Sequence, residues 1–456
     1  MLHVIALGKE TLAAHRSREL METKLARIAE IAREKPKEVF TSLYHYLNKE
    51  MLLQCHRELS ADKAAGVDEV TKEEYERNLE QNINELVEKL KRHSYKPQPV
   101  KRVYIPKDEK AKRPLGMLAH EDKAVQLGLK KILEPIYEED FLECSYGFRP
   151  NRDCHKALAK LDQIIMGKIN YIVDADIKGF FDNVDHEWLI KFVGVRIGDP
   201  NIKRLMVKFL KAGVMVEGNV EPTEVGTAQG AIISPLLANI YLHYALDLWF
   251  EKIIKPGSKG EAHLVRYADD FVCCFQYRED AEKFYQDLRE RLAKFKLEVA
   301  ENKSKVIEFG RFAAENREKR GQGKPETFDF LGFTHYCGLS QNGKFTVKRK
   351  TSKKKFKAKV KALALWIKTE RNRMNIHQIF KTAKLKLRGH YNYYGIADNS
   401  RMIRRYYRKT KELLFKWLNR RSQRESFSWE KFQKYLELNP LPSPKIRGRL
   451  SELVTQ

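Results

Sequence analysis

An α+β fold is predicted, an antiparallel sheet framed by helices and followed by a helical, strongly basic region. Three observations predict it. The segment Leu264-Val-Arg-Tyr-Ala-Asp-Asp-Phe-Val-Cys-Cys-Phe275 places two adjacent acids between two apolar, β-favouring runs, which reads as a hairpin with the acids at its tip. A second acidic segment, Tyr171-Ile-Val-Asp-Ala-Asp-Ile-Lys-Gly-Phe-Phe-Asp182, reads as another strand ending in carboxylates. Charge is also unevenly spread: residues 341–456 hold 32 Lys and Arg against 7 Asp and Glu, a net of +25 of the chain's +26.

The elements follow in order along the 456 residues. Residues 10–60 read as helices, with Val39, Phe40, Leu43, Tyr44, Leu47, Met51 and Leu52 at helical spacing. Glu76 to Arg92 is a further amphipathic helix. Val100–Pro106, the polar turn Lys107–Lys112 and Arg113-Pro-Leu-Gly-Met117 form a β-hairpin able to reach over a phosphate. Glu121 to Tyr137 is helical, and a loop, Ser145-Tyr-Gly-Phe-Arg-Pro150, follows. Asp185 suits the N-cap of a helix through Trp188 and Phe192. Pro235 to Ile254 is a long apolar helix, and Glu279 to Leu297 a helix with alternating charge. Ala313 to Glu326 is polar and is expected to be a flexible insertion. Phe328–Thr334 is expected to restart the sheet, and helices fill the chain from about Thr351.

Composition excludes several classes. At 42% hydrophobic and 32% charged, the chain is expected to be a globular protein. No run of about 18 apolar residues is present, so no membrane partner is expected. The N-terminus lacks the flanks of a signal peptide, and the six cysteines form no C-x-x-C pair. The cysteine usage points to the reducing cytoplasm rather than to a zinc module or a disulfide framework. Net charge of this size favours a polyanionic partner.

The chemistry is carried by the acids. Adjacent carboxylates at a tight turn repel, and a divalent cation neutralises them. A strand that brings Asp176 beside Asp269 and Asp270 completes a three-carboxylate site for two ions, which at about 3.5–4 Å apart support in-line phosphoryl transfer. The Ile177 carbonyl is a further candidate ligand. Mg²⁺ is the expected cofactor, with Mn²⁺ as a substitute.

The ordered set Arg113–Gly116, Tyr146–Pro150, Asp176–Asp182, Thr227–Gly230 with Ile233–Asn239, Tyr267–Asp270, Asn302-Lys303 and Phe330–Phe333 resembles the reverse transcriptase block series. In detail it resembles the reverse transcriptase/maturase proteins encoded by bacterial group II introns. The tail motifs Leu387–Gly395 and Trp417–Arg424 are similar to their maturase region, and the likeness covers roughly residues 35–450. It implies a right-hand polymerase: an N-terminal helical extension and start of the fingers in 1–95, fingers and palm in 96–345, and a basic helical thumb/maturase domain in 346–456. It also implies roles. Phe181 packs under the incoming sugar and disfavours a 2′-hydroxyl, Lys107 and Arg113 contact the triphosphate, Gln229 contacts the nucleotide, and Lys303 protonates the leaving pyrophosphate. Ala228 and Ala231 depart from the family's usual Pro and Gly.

In the tail, Arg388, His390, Tyr391, Tyr394, Arg404, Arg405, Arg420 and Arg421 are the candidate nucleic-acid contacts. Cations neutralise phosphate and aromatics stack on unpaired bases. The implied activity is RNA-directed DNA polymerisation, with intron RNA binding that promotes splicing and mobility. Partners are template or intron RNA, a DNA primer or target, and dNTPs, with a homodimer left open. The chain shows no Cys/His nuclease segment before Gln456, so second-strand cleavage is not expected of it. Two alternatives stand beside this reading: a splicing-only RNA-binding maturase, and a domesticated relative in phage defence or DNA repair.

Overall fold

The computed structural model describes residues 19–106, 112–216, 219–227, 230–421, 427–450 and 452. Its centre is a four-stranded antiparallel sheet in the order β6-β7-β3-β8, with β3 at Tyr171–Ala175, β6 at Ala262–Tyr267, β7 at Asp270–Phe275 and β8 at Lys305–Glu308. The central strands alternate strictly. Phe271, Cys273 and Phe275 face one core, shared with Val173 and Ala175, while Val272, Cys274 and Ile172 face a second. Both faces of the sheet are therefore covered, which is why β7 reads as an unbroken apolar run rather than an alternating one.

The first core extends from Met21 through the helices Lys49–Glu58, Leu79–Lys91, His120–Asp140 and Ser234–Leu242 to Val299. The N-terminal helices thus share one core with the palm. The second core joins the helix Cys154–Ile165 and the other sheet face to the helical C-terminal region. Fingers strands β1 (Val100–Pro106) and β2 (Lys112–Met117) pair as expected, Val103 opposite Leu115. A short hairpin, β4 (Val214–Val216) and β5 (Asn219–Glu221), extends that sheet through a parallel β1–β4 contact that the sequence did not suggest.

Several expectations are corrected. Residues 35–48 are not a regular helix. The preceding helix stops before Pro36, and the buried Arg196 guanidinium takes the Ala32 and Pro36 carbonyls while Phe40 pairs with Ile197. The helix expected over Glu76–Arg92 breaks at Arg77-Asn78 into Lys72–Glu76 and Leu79–Lys91. The polar insertion holds a helix, Ala313–Lys319. Phe328–Thr334 does not restart the palm sheet: β9 (Phe328–Phe330) and β10 (Phe333–Leu339) join β11 (Phe345–Thr351) in a separate three-stranded sheet. The expected boundary at 345/346 falls at the first residue of β11.

The C-terminal helices Lys353–Glu370, Ile376–Tyr394, Ser400–Leu418 and Trp429–Leu438 follow. Ser352 caps the first through its hydroxyl, and Asn375 forms a capping box on the second. Among the described residues no helix is long and apolar enough to cross a membrane.

Candidate active site

The period of two fixes where the acids point. Asp174 and Asp176 follow Ile172 on one face of β3, and Asp270 precedes Val272 and Cys274 on the same face of β7. The register pairs Ala175 with Phe271, so its next step brings Asp176 beside Asp270. Tyr267 pairs with Asp270, leaving Ala268-Asp269 as a two-residue turn.

That turn is strained and braced. Ala268 has φ +58°, which a residue with a Cβ adopts at a cost of about 1–2 kcal/mol. The wholly buried Arg266 donates to the Ala268 carbonyl at 3.0 Å and to Asn239 Oδ1 at 2.9 Å. It also donates to Ser145 Oγ at 2.8 Å and forms a two-pronged pair with buried Asp247, at 2.7 and 2.5 Å. Asp247 lies in a π-helical stretch, His243–Asp247, of the long palm helix. The Ser145–Pro150 loop lies against the turn. Asn239 donates to the Gly147 carbonyl at 2.7 Å, and a Cβ at Gly147 would sit 2.4 Å from the Ala268 nitrogen. Only glycine permits that approach. Arg266, Asp247, Asn239 and Ser145 brace the turn, and none of them was among the candidate site residues read from the sequence.

The acids crowd one another. Burial, then the charges of Asp269 and Asp176, push the Asp270 carboxyl up to about 6, although its side chain still reaches the cleft. Burial pushes Asp174 up to about 7, and the neighbouring Asp329, Asp270 and Asp176 add to this against Lys305. Lys303, on a short turn Glu301–Lys303, forms an ion pair with Asp176 at 2.8 Å. Ala300 N–H donates to the Asp176 carbonyl and Lys178 N–H to that of Glu298, so the Ile177 carbonyl stands outside this pairing.

Among the described residues no three His, Cys, Asp or Glu side chains converge to hold a metal ion. In this arrangement Lys303 is paired with Asp176. The donor set still fits a divalent cation: hard carboxylate oxygens, with like charges crowded enough to raise Asp270.

Phe181 lies not on a strand but in the four-residue helix Phe180–Asn183. Phe180 is in the core, while Phe181 lines a cavity of about 120 Å³ beside Gly226, Thr227 and Ala231. Its carbonyl accepts from Thr227 N–H at 2.8 Å. Lys107 and Gln229 lie outside the described residues, and for Arg113 only the backbone is described, paired with Ile105.

In the C-terminal region, three expected contacts are corrected. His390, Tyr391 and Tyr394 are only 4–5% exposed, with His390 stacked on Tyr406 at 3.8 Å. They pack in the second core. Arg388, Arg404, Arg405 and Arg420 are exposed. Arg421 is half-buried and donates to the Met374 carbonyl at 2.8 Å, tying down a loop.

A sheet with acids at two adjacent strand ends, joined through the face those acids share to a basic helical region and accompanied by a separate strand hairpin, is the frame of a template-directed polymerase. Residues 105–335, half of the chain, match the reverse transcriptase (RNA-dependent DNA polymerase) family, and the chain belongs to it. Residues 353–436 match the group II intron maturase-specific domain. The chain is 41% identical over 221 residues to the group II intron-encoded protein LtrA of Lactococcus lactis subsp. cremoris, covering 48% of this chain and 37% of that protein. It is 36% identical to protein YkfC of Escherichia coli (strain K12), covering 45% of this chain and 62% of that protein. Both matches span less than two thirds of the relative's length. The family depends in general on a divalent metal.

Proposed function

We propose that this chain is an RNA-directed DNA polymerase that also clamps a structured intron RNA to promote its splicing and mobility. The observation that carries the reading is the convergence, on one face of the palm sheet, of Asp176 and Asp270 beside the Asp269 turn. Asp176, Asp269 and Asp270, with the Ile177 carbonyl, would hold two Mg²⁺ ions, Mn²⁺ substituting. Such ions supply a lowered pKa at the primer 3′-hydroxyl and neutralise charge on the transferring phosphoryl group.

The chain's own groups do the rest. Arg113 and Lys107 bind the triphosphate of the incoming dNTP, and Gln229 orients the nucleotide. Phe181 occupies the space that a ribose 2′-hydroxyl needs. Lys303, freed from Asp176 when that carboxylate takes a cation, holds a proton at Nζ for the leaving pyrophosphate. Arg388, Arg404, Arg405 and Arg420 neutralise phosphates of template, primer or intron RNA. The maturase-specific match supports the splicing role.

Primer extension on poly(rA)/oligo(dT) with Mg²⁺ tests the reading. Wild-type protein should extend the primer, and Asp269→Ala with Asp270→Ala should abolish extension while leaving RNA binding near normal. Extension that survives in a clean double variant overturns the metal-site assignment.

A further inference from the structure

Beyond residue 436, where the maturase match ends, the chain does not drift away. Residues 440–450 run as a strap across the helix Ile376–Tyr394. Three contacts fix it there. Tyr391 OH donates to the Pro442 carbonyl at 3.1 Å, Arg447 N–H to the Gly395 carbonyl at 2.7 Å, and Ala397 N–H to the Gly448 carbonyl at 3.0 Å. Ile396 and Gly448 form a parallel bridge. Gly395 allows the approach, since a Cβ there would lie 2.7 Å from the Lys445 carbonyl.

A strap in extended conformation must alternate. Pro444, Ile446 and Gly448 turn toward the protein, and Leu450 is buried. Ser443, Lys445, Arg447 and Arg449 are exposed. Alternate residues of an extended chain stand about 6.6 Å apart, of the order of the step between successive phosphates in a nucleic-acid strand. Lys445 and Arg447 thus stand one such step apart on the exposed edge of the strap, before Gly448, at φ +137°, breaks the extended run. Beside it lies a cavity of about 640 Å³ lined by Arg388, Asn392, Ser443, Lys445 and Arg447, with no acidic residue among its described lining.

We propose that this strap is a track for the sugar–phosphate backbone of RNA, read without regard to sequence. Lys445 and Arg447, together with Arg388 across the cavity, neutralise successive phosphates. Asn392 and Ser443 offer uncharged donors and acceptors of the kind a ribose 2′-hydroxyl uses. The inference deepens the RNA-clamping half of the proposed function and rests on that half alone.

The test measures binding of a fluorescein-labelled, mixed-sequence single-stranded RNA to the full chain across a salt series. Arg388→Gln, Lys445→Gln and Arg447→Gln together should lower the slope of log affinity against log salt by about 2, each contact contributing about 0.7. The charge-keeping variant Arg388→Lys with Arg447→Lys should restore the wild-type slope. Unlabelled DNA of the same sequence should compete less well than RNA. An unchanged slope in the triple variant overturns the track, and equal competition by DNA overturns its assignment to RNA. Should the triple variant not fold, Lys445→Gln alone should lower the slope by about 0.7, and no change overturns the proposal. Primer extension on poly(rA)/oligo(dT) is read in parallel: its failure in wild-type protein counts against the polymerase reading only, and an unchanged slope against the strap only.

Discussion

The palm and the helical C-terminal region handle charge in opposite ways. In the palm, charges sit inside and are answered there: Arg266 and Asp247 are fully buried and bonded to each other, and the network ends on the carbonyl of the acid-bearing turn. In the C-terminal region, charges sit outside and aromatics inside. Arg404, Arg405 and Arg408 are exposed around a core that holds Tyr391, Tyr394 and Tyr406. A turn that must hold acids in fixed geometry is served by support that is buried, directional and costly to disturb. A surface that follows a polyanion needs charge density but little exact placement, so long, solvated side chains serve.

The sharpest break comes at the buried pair. Arg266→Leu leaves Asp247 in the core without its partner, and should cost about 3–5 kcal/mol of stability, read by urea denaturation. Adding Asp247→Leu should recover much of that stability but not the extension rate, because the Ala268 carbonyl still lacks its donor. Full recovery of both would show that the network only fills space.

Acid and base then separate the regions by sign. Burial, then the Lys359 charge, depresses His390 from 6.5 to about 3, so the fold keeps it neutral. Its contribution is complete above pH 6.5 and is lost as pH falls toward 3. Burial raises Asp122, next to the fingers, from 3.8 to about 7. The fold prefers its protonated form, so stability falls as pH rises from about 4 to about 7 and is level above that. His390→Phe, which keeps the stack on Tyr406, should flatten the acid limb by a few kcal/mol, since each tenfold change in proton affinity is worth about 1.4 kcal/mol. Asp122→Asn should flatten the opposite limb. Thermal melts at a series of pH values check both, and an unaltered limb in either variant would refute that group's role.

A smaller effect is expected at the junction. Ser352→Ala removes the N-cap of the helix Lys353–Glu370 and should cost about 1 kcal/mol. The smallest concerns surface charge: Arg404→Gln with Arg405→Gln should leave stability within about 0.5 kcal/mol while lowering the salt slope of RNA binding. A stability loss as large as that of Arg266→Leu would erase the contrast between the regions.

Local pattern was enough for much of this protein. Apolar, β-favouring runs bounded by acids specified β3, β6 and β7, with the Asp-Asp turn between the last two. The Asp185 cap was legible too, since its side chain accepts from Trp188 N–H. Charge counting marked the basic region. Other features depended on neighbours far along the chain. Arg266 meets Ser145, 121 residues away, and nothing in the composition of either segment signals the other. His390, Tyr391 and Tyr394 have helical spacing and polar tips in sequence, and only packing decides that those rings face inward. Phe328–Thr334 has strand character, but nothing local says that it pairs with β11 through β10 rather than with the edge strand β8. Sequence by itself determined what each segment prefers, because period and propensity are local. Tertiary structure decided which preferred faces meet, because burial, strand register and the close approach of Gly147 to Ala268 exist only once distant segments are brought together.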